Sequence, residues 1–433
     1  MMPIINQIDT KESSFSKSFD AYLDERNKVS GEVSQLVSEI ILKIRSKGDN
    51  ALKDLTKEFD GFDSDVFKIS SKEINQILKS CDKDIFKSLE YSFEKILNYQ
   101  SRCFASLNLE DTDDEITRKF RVIESVGIYV PGGKASYPST VLMGAAPAIA
   151  CGVSDISISS PAQKGKLNTL TIAAAKVAGI DTIYRIGGAQ AIAALAIGTD
   201  QISKVDKIIG PGNIFVAEAK KQLFGEVGID SIAGPSEILI LADSSSNPET
   251  IAWDLMAQSE HDSDASGVLI SDSEELIANV KEIISTEIDS LERCSIIKES
   301  ISSNGLIIKI DNLSEAKQLV NKIAPEHLHI AFDHINYQDE NSLIAGLILK
   351  GENSANSFSD YVLGPSHILP TNSSSRFSSP LSVEDFIVSY SYVSLDREKN
   401  IKKFNEYIDH TSKIAKAEGL TAHAIAAEKR FKN

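Results

Sequence analysis

Cysteine is scarce in this chain: Cys81, Cys103, Cys151 and Cys294 are the only four, widely spaced and without a CxxC pair. That excludes a disulfide framework and leaves reduced, mostly structural thiols. Positive charge is also short, with 45 Lys plus Arg against 62 Asp plus Glu and a net charge of -17. A surface of that sign repels a phosphate backbone, so nucleic acid is not an expected partner. Long apolar runs are missing. The longest, Val141 to Val153, is broken by Gly144, Pro147 and Gly152 and falls short of the roughly 20 residues that a membrane helix needs. The N-terminus, MMPIINQIDTKESSFSK, lacks the basic start and apolar run of a signal peptide, and its acidic residues argue against a transit peptide, so a cytoplasmic protein is expected.

What is present is an ordinary globular composition, 42% hydrophobic and 25% charged. The 433 residues exceed the roughly 250 to 300 that one hydrophobic core usually organises, so two or more domains are expected. Residues 1–22 are polar and weakly periodic and read as an N-terminal arm lying on something larger. From Asp24 to Asn98 the apolar spacing is helical, with Leu36, Ile40, Ile41 and Ile44 recurring at three and four residues.

The middle of the chain alternates short strand-like runs with Ala-rich helical stretches: Val126 to Val130, Ile156 to Ser159, Thr182 to Ile186 and Lys207 to Ile209. That alternation predicts parallel strands with helical crossovers and a ligand crevice at the strands' carboxyl ends. Turns at Pro131-Gly-Gly133, Gly187-Gly188 and Gly210-Pro-Gly212 fall where a strand gives way to a helix. Their amides can face an anion there, although glycine at strand ends is also ordinary turn chemistry. No GxGxxG stands at any of them, so no standard dinucleotide fingerprint is present.

After Ser236 a buried strand, Ile238 to Asp243, leads into a helix opened by Asn247-Pro248 and running through Trp253 and His261. Strands at Gly267 to Ser271, Leu306 to Ile310, His329 to Phe332 and Ala345 to Leu349 alternate with helices at about 273–288 and 314–323. The predicted fold is therefore α/β, with two Rossmann-like open parallel-sheet domains. The first is discontinuous, 23–125 and 236–378; the second, 126–235, is inserted into it. From about Ser378 strands are expected to stop, and residues 379–433 read as a polar helical tail too small for its own core.

Four clusters are candidates for chemistry. Gln258 and His261, three apart on one helix, share a face and can meet one metal, although such a pair is more often solvated surface. Pro325-Glu326-His327 sets an acid beside an imidazole at an expected helix start, either an acid–base pair or a helix-dipole acid beside a packed histidine. Asp360 and His367 lie in a glycine-containing loop after a strand, where Asp360 is a ligand or a turn residue. In Glu418-Gly-Leu-Thr-Ala-His423, Gly419 stops one helix and Thr421 caps the next, placing His423 in a first turn where the neutral, metal-binding ring is favoured. A solvated tail histidine is the alternative.

The segments VGIYVPGGKASYPSTVLMGAAPA, RIGGAQAIAALAIGT, GPGN, AGPSE, AQSEHD, APEHL, SDYVLGPSHILPT, RFSSPLSVEDF and EGLTAH, in that order over residues 121–428, resemble the histidinol dehydrogenase family. The resemblance implies NAD-dependent, zinc-requiring, four-electron oxidation of L-histidinol to L-histidine through L-histidinaldehyde. It implies one zinc per subunit on Gln258, His261, Asp360 and His423, an acid–base pair of Glu326 and His327, and histidinol contacts at Ser236, His327, Asp360, His367 and Glu418 beside the zinc ligands. NAD contacts fall at Tyr129, Gln190 and Asn213. It further implies a homodimer in which the tail crosses over, so that Glu418 and His423 complete the other subunit's site. Pro365-Ser366, Ser359 and His329 depart from the usual pattern around that pocket. Other readings are a related zinc and NAD dehydrogenase of another small polar alcohol such as a sulfonated diol, a zinc hydrolase, and a metal-free binding protein. Cys151, in an Ala-rich apolar helix end without an activating base nearby, is read as structural.

Overall fold

The strand Glu237–Ala242 is apolar after its first residue because it is buried on both faces. Ile238, Ile240 and Ala242 enter one core, and Leu239 and Leu241 enter the other. A parallel sheet covered on two sides demands such a run. In the computed structural model, which describes residues 5–26, 31–107, 109, 111–112, 115–132, 137–332 and 342–430, this strand lies inside a six-stranded sheet. The spatial order is Asn6–Asp9, Leu306–Lys309, Ser266–Ser271, Glu237–Ala242, His327–Ile330 and Leu347–Lys350, parallel throughout. Gly133 and His334 lie outside the described residues.

The second sheet is five-stranded and parallel, in the order Thr182–Tyr184, Asp155–Ser159, Ser125–Tyr129, Lys207–Ile209 and Gly228–Ile229. All four strands expected in this segment are present, shifted by two residues or fewer. Gly210 ends Lys207–Ile209 at φ +108, and a Cβ there would stand 2.1 Å from the Tyr129 carbonyl oxygen. Only glycine permits both the backbone and the approach. Behind this turn, the buried Lys220 ammonium donates to the Gly210 carbonyl at 2.6 Å and pairs with Asp230 at 2.5 Å, while the Asp230 carboxylate accepts the Gly210 N–H at 2.7 Å.

Three expectations change. Residues 1–22 are not a bare arm: Asn6–Asp9 pairs with Leu306–Lys309, and the helix Phe15–Glu25 buries Phe19 in the six-stranded sheet's core. The helix Gly31–Lys47, expected with the first domain, shares its core with the inserted sheet. Val37, Ile40, Ile41 and Ile44 pack with Ala189 to Ala196, and Ser34 and Ser38 bond Glu218 and Gln222 at 2.7 and 2.8 Å. Pro325-Glu326-His327 opens a strand instead of a helix. Ala324 ends the helix Ala316–Ile323 in the left-handed region at φ +45, and Leu328 and Ile330 are then buried in the sheet.

Residues 1–105 and 122–386 form one unit; 106–121 and 387–433 form a second. The expected boundary at 379 moves to 387, because Val383 and Phe386 are fully buried in the first unit. The second unit also has strands the sequence reading omitted: Ile387–Val393 lies beside Ile116–Val122 in a three-stranded sheet. Its helices are Ile401–Ala417 and Thr421–Glu428, and Tyr407 Oη donates to Glu115 at 2.6 Å. Among the described residues no helix is long and apolar enough to cross a membrane. Gly210→Ala is expected to destabilise the protein by about 3 kcal/mol or more through combined strain and clash. Urea unfolding checks this, and a wild-type midpoint would contradict the backbone argument.

Candidate active site

Two parallel strands set the central pair. Glu326 and His327 enter the strand His327–Ile330, which pairs with Glu237–Ala242 in the register His327 to Ile238. The Glu237 N–H donates to Glu326 Oε2 at 2.8 Å, and the Glu237 carbonyl accepts from His327 Nδ1 at 3.0 Å. One peptide residue therefore holds both side chains. Because a carbonyl can only accept, Nδ1 carries the proton and Nε2 is left with its lone pair. That Nε2 is buried without a hydrogen-bond partner among the described residues, and Asp360 Oδ1 lies 3.8 Å from it.

Burial shifts these groups toward their neutral forms. Glu326 is pushed well above the ordinary carboxylate range, chiefly by desolvation and then by the charges of Glu237 and Asp360, against the restraint of the Glu237 amide. Desolvation brings His327 down to about 4, opposed by its bond to Glu237 and aided by His261 and His367. His327 is thus uncharged at neutral pH with a free base nitrogen, and Glu326 is a stronger base than a surface carboxylate.

The metal candidates converge from two further elements. Gln258 is in the last turn of the helix Pro248–Ser259; His261 lies just past that helix, with its N–H on the Gln258 carbonyl at 3.3 Å. The expected helix through His261 is therefore shorter by two residues. Asp360 comes from the short helix Asn356–Tyr361, whose Asn356 amide donates to Gln258 Oε1 at 3.3 Å and to Asp360 Oδ2 at 3.4 Å. Asp360 is pushed up to about 7 by burial and then by Asp254. Burial and Arg293 lower His261, so its ring is neutral. His367 donates from Nδ1 to the Asp360 carbonyl at 3.0 Å; its Nε2 is 3.4 Å from Thr140 Oγ1, and burial takes it down to about 4.

A buried carboxylate, an amide oxygen and a neutral imidazole are donor types that suit zinc. Among the described residues, no three His, Cys, Asp or Glu side chains gather as a metal group. Gln258, His261 and Asp360 offer an amide oxygen, an imidazole nitrogen and a carboxylate. Glu418 caps the helix Ile401–Ala417 and His423 lies in the first turn of Thr421–Glu428, both in the second unit. Leu420, not Thr421, is the cap residue there, and no side-chain bond supports it.

On the five-stranded sheet, Tyr129 ends a strand and its buried hydroxyl accepts the Gly188 N–H at 3.0 Å; desolvation raises it to about 12. Gln190 is buried in the helix Gly188–Ile197, and the exposed Asn213 caps Ile214–Leu223 by accepting the Phe215 and Val216 amides. These three stand at the carboxyl ends of parallel strands, where an open sheet places its ligand. Ser236 immediately precedes Glu237, with its carbonyl on the Ser266 N–H at 2.9 Å. Cys151 is buried, directs its thiol at the Val383 carbonyl at 3.3 Å, and is pushed up to about 12 by desolvation, which removes it as a thiolate nucleophile.

Sequence reasoning missed Asn356, which ties Gln258 to Asp360, as well as Glu237, Thr140 and Asp254. Only the four-residue spacing from Asn356 to Asp360 was a local signal. The rest act across distant segments.

The family profile described as "Histidinol dehydrogenase" matches residues 23–431. The chain is 42% identical over 439 residues to histidinol dehydrogenase of Clostridium acetobutylicum, covering all of both chains. It is 44% identical over 411 residues to that of Oceanobacillus iheyensis, covering 94% of this chain and 95% of the other. The crystal structure of histidinol dehydrogenase from Elizabethkingia anophelis superposes with a TM-score of 0.89 at 29% identity, covering 98% of each chain.

The raised Asp360 carboxyl makes a stability prediction. Its proton is held more tightly in the folded state, so its contribution is complete below the unfolded value near 3.8 and is lost as pH rises through about 7. His327 and His367 run the other way, losing stability as pH falls toward about 4. They are common to wild type and variant. In chelator-treated protein, Asp360→Asn should therefore gain stability relative to wild type between pH 5 and pH 8. Urea titrations at both pH values test this, and a constant difference would refute it.

Proposed function

The chain belongs to the histidinol dehydrogenase family, an oxidoreductase family, and from that premise we propose that it oxidises L-histidinol to L-histidine with two NAD and one zinc per subunit. The observation that carries the reading is the orientation of His327. Its Nδ1 is committed to the Glu237 carbonyl, and its unpartnered Nε2 faces Asp360 across a buried space beside Glu326. That is a proton acceptor directed at a site where an alcohol can be held.

In the first step His327 Nε2 takes the hydroxyl proton of histidinol while hydride leaves its carbon for NAD, giving the aldehyde and one NADH. Glu326 then removes a proton from water as its oxygen bonds the aldehyde carbon, and the His327 imidazolium returns its proton to the former carbonyl oxygen, forming the hydrate and freeing Nε2 again. His327 deprotonates the hydrate as a second hydride leaves for a second NAD, giving a second NADH and the carboxylic acid, which loses its proton to solvent as histidine departs. Gln258, His261 and Asp360, with the partner subunit's His423, would hold zinc. When bound, the ion supplies a charge that fixes the amino and imidazole nitrogens of the substrate. His367, Ser236 and the partner subunit's Glu418 would bind the remainder of histidinol, and Tyr129, Gln190 and Asn213 would bind NAD.

The homodimer accounts for the missing ligand and for an apolar surface. Val393, Ile414 and Ile425 of the second unit are 56%, 60% and 51% exposed in one chain, as residues awaiting a partner would be. A biosynthetic enzyme of this type works in the cytoplasm. The other reading, a zinc and NAD dehydrogenase of a sulfonated diol, has no observation in its favour.

Histidinol with NAD should yield two NADH per histidine, and a chelator should abolish turnover; one NADH with aldehyde accumulating would contradict the scheme. Glu326→Gln is expected to slow aldehyde oxidation about 100-fold while sparing alcohol oxidation, whereas His327→Asn slows both. Equal loss in Glu326→Gln would refute the division. Zinc affinity should fall below pH 7 as protons compete at Asp360, measured by chelator competition. Mixing His327→Asn with His423→Ala subunits should restore activity in hybrid dimers, and mixtures that stay inactive after subunit exchange would rule out shared sites.

A further inference from the structure

The Glu237 carboxylate is an anomaly in its strand. Its five followers are apolar, and it lies only 3% exposed at the head of a buried sheet. Arg26, at the end of the helix Phe15–Glu25, reaches it with Nη2 2.5 Å from Oε1; the two side chains are 11% and 4% exposed. The Asn372 N–H donates to the same Oε1 at 3.0 Å, and the Tyr22 ring lies 5.8 Å from the Arg26 guanidinium. Next to it, the Gly234 N–H donates to Thr371 Oγ1 at 2.6 Å, so the loop before the strand is tied to the same segment.

A buried ion pair is seldom worth more to stability than apolar residues of equal volume, because both charges lose their water. This pair therefore calls for another reason to be there. The Glu237 side chain is pinned by Arg26 and Asn372 on one side, while its own peptide groups reach Glu326 and His327 on the other, at 2.8 and 3.0 Å. A shift of the Glu237 backbone would disturb its amide on Glu326 and its carbonyl on His327 together.

We propose that Arg26 and Glu237 are positioning residues for the proton-transferring pair: their ion pair fixes the Glu237 peptide, and that peptide sets the direction of Glu326 and the free nitrogen of His327. The inference rests on the roles given to Glu326 and His327 under Proposed function. It makes the C-terminal end of the helix Phe15–Glu25 a support for that pair.

Stability and positioning separate in a set of variants. Arg26→Met and Glu237→Gln each strand one buried charge and should lower both the melting midpoint and turnover. The double variant Arg26→Met/Glu237→Gln removes both charges, so its midpoint should return close to that of wild type. Its kcat should nonetheless stay about tenfold or more below wild type in both the histidinol and the histidinaldehyde reactions, with KM and calorimetric histidinol affinity within about twofold. Arg26→Lys keeps the charge but loses the planar fork; it should fold normally with kcat about threefold lower and KM unchanged.

Wild-type kcat in the double variant and in Arg26→Lys would overturn the proposal and leave the pair a purely structural feature. A loss appearing only in histidinol affinity would overturn it as well. If the double variant does not fold, Arg26→Lys decides alone. A wild-type enzyme that forms no NADH from histidinol would instead refute the reading under Proposed function, which these variants otherwise leave intact.

Discussion

Parallel pairing between His327–Ile330 and Glu237–Ala242 is the constraint on which the site depends. At the first residue of the pairing, the ladder gives way to side chains: the peptide of Glu237 bonds Glu326 and His327. Inside a buried sheet such groups must be satisfied. The acid and the base therefore inherit their geometry from the rigid centre of the fold and not from a loop, which is the kind of support that sub-ångström orientation requires. Leu347, on the next strand, adds its N–H to the Glu326 carbonyl at 2.9 Å.

Around that centre the two sheets supply different things. The six-stranded sheet and the helices after it bring Glu326, His327, Gln258, His261 and Asp360 together. The five-stranded sheet contributes the glycine turns, Tyr129, Gln190 and Asn213. They approach each other where Thr140, on the helix Pro138–Cys151, lies 3.4 Å from His367. Under the proposed function, histidinol at the first set and NAD at the second would meet there, as hydride transfer demands.

Electrostatics point the same way. Burial drives the carboxyls of Glu326 and Asp360 up and the imidazoles of His261, His327 and His367 down. In one desolvated pocket, neutral nitrogens serve as ligands or bases, and carboxyls of raised affinity for protons serve as bases or as counter-charges for a cation. Cys151, with a thiol held near 12, has no part in that chemistry.

Local pattern alone carried much of the architecture. The strands Lys207–Ile209 and Glu237–Ala242, and the helix capped by Asn247, were legible because period, length and capping are properties of adjacent residues. The proposed site residues were named only through ordered resemblance over 121–428, since Gln258 with His261, or Glu326 with His327, is a weak pattern in isolation. Local reading failed at Pro325-Glu326-His327, where an acidic start resembles a helix but the sheet claims the segment, and at Asn6–Asp9 and the exposed Ile387–Val393, strands whose partners are distant. The sequence by itself determined which side chains exist and which segments are helix or buried strand, because those follow from neighbours a few residues apart. Only the tertiary structure decided that Glu237, an unremarked acid at a strand start, joins Arg26 to Glu326 and His327, because that depends on register between segments separated by 89 residues or more.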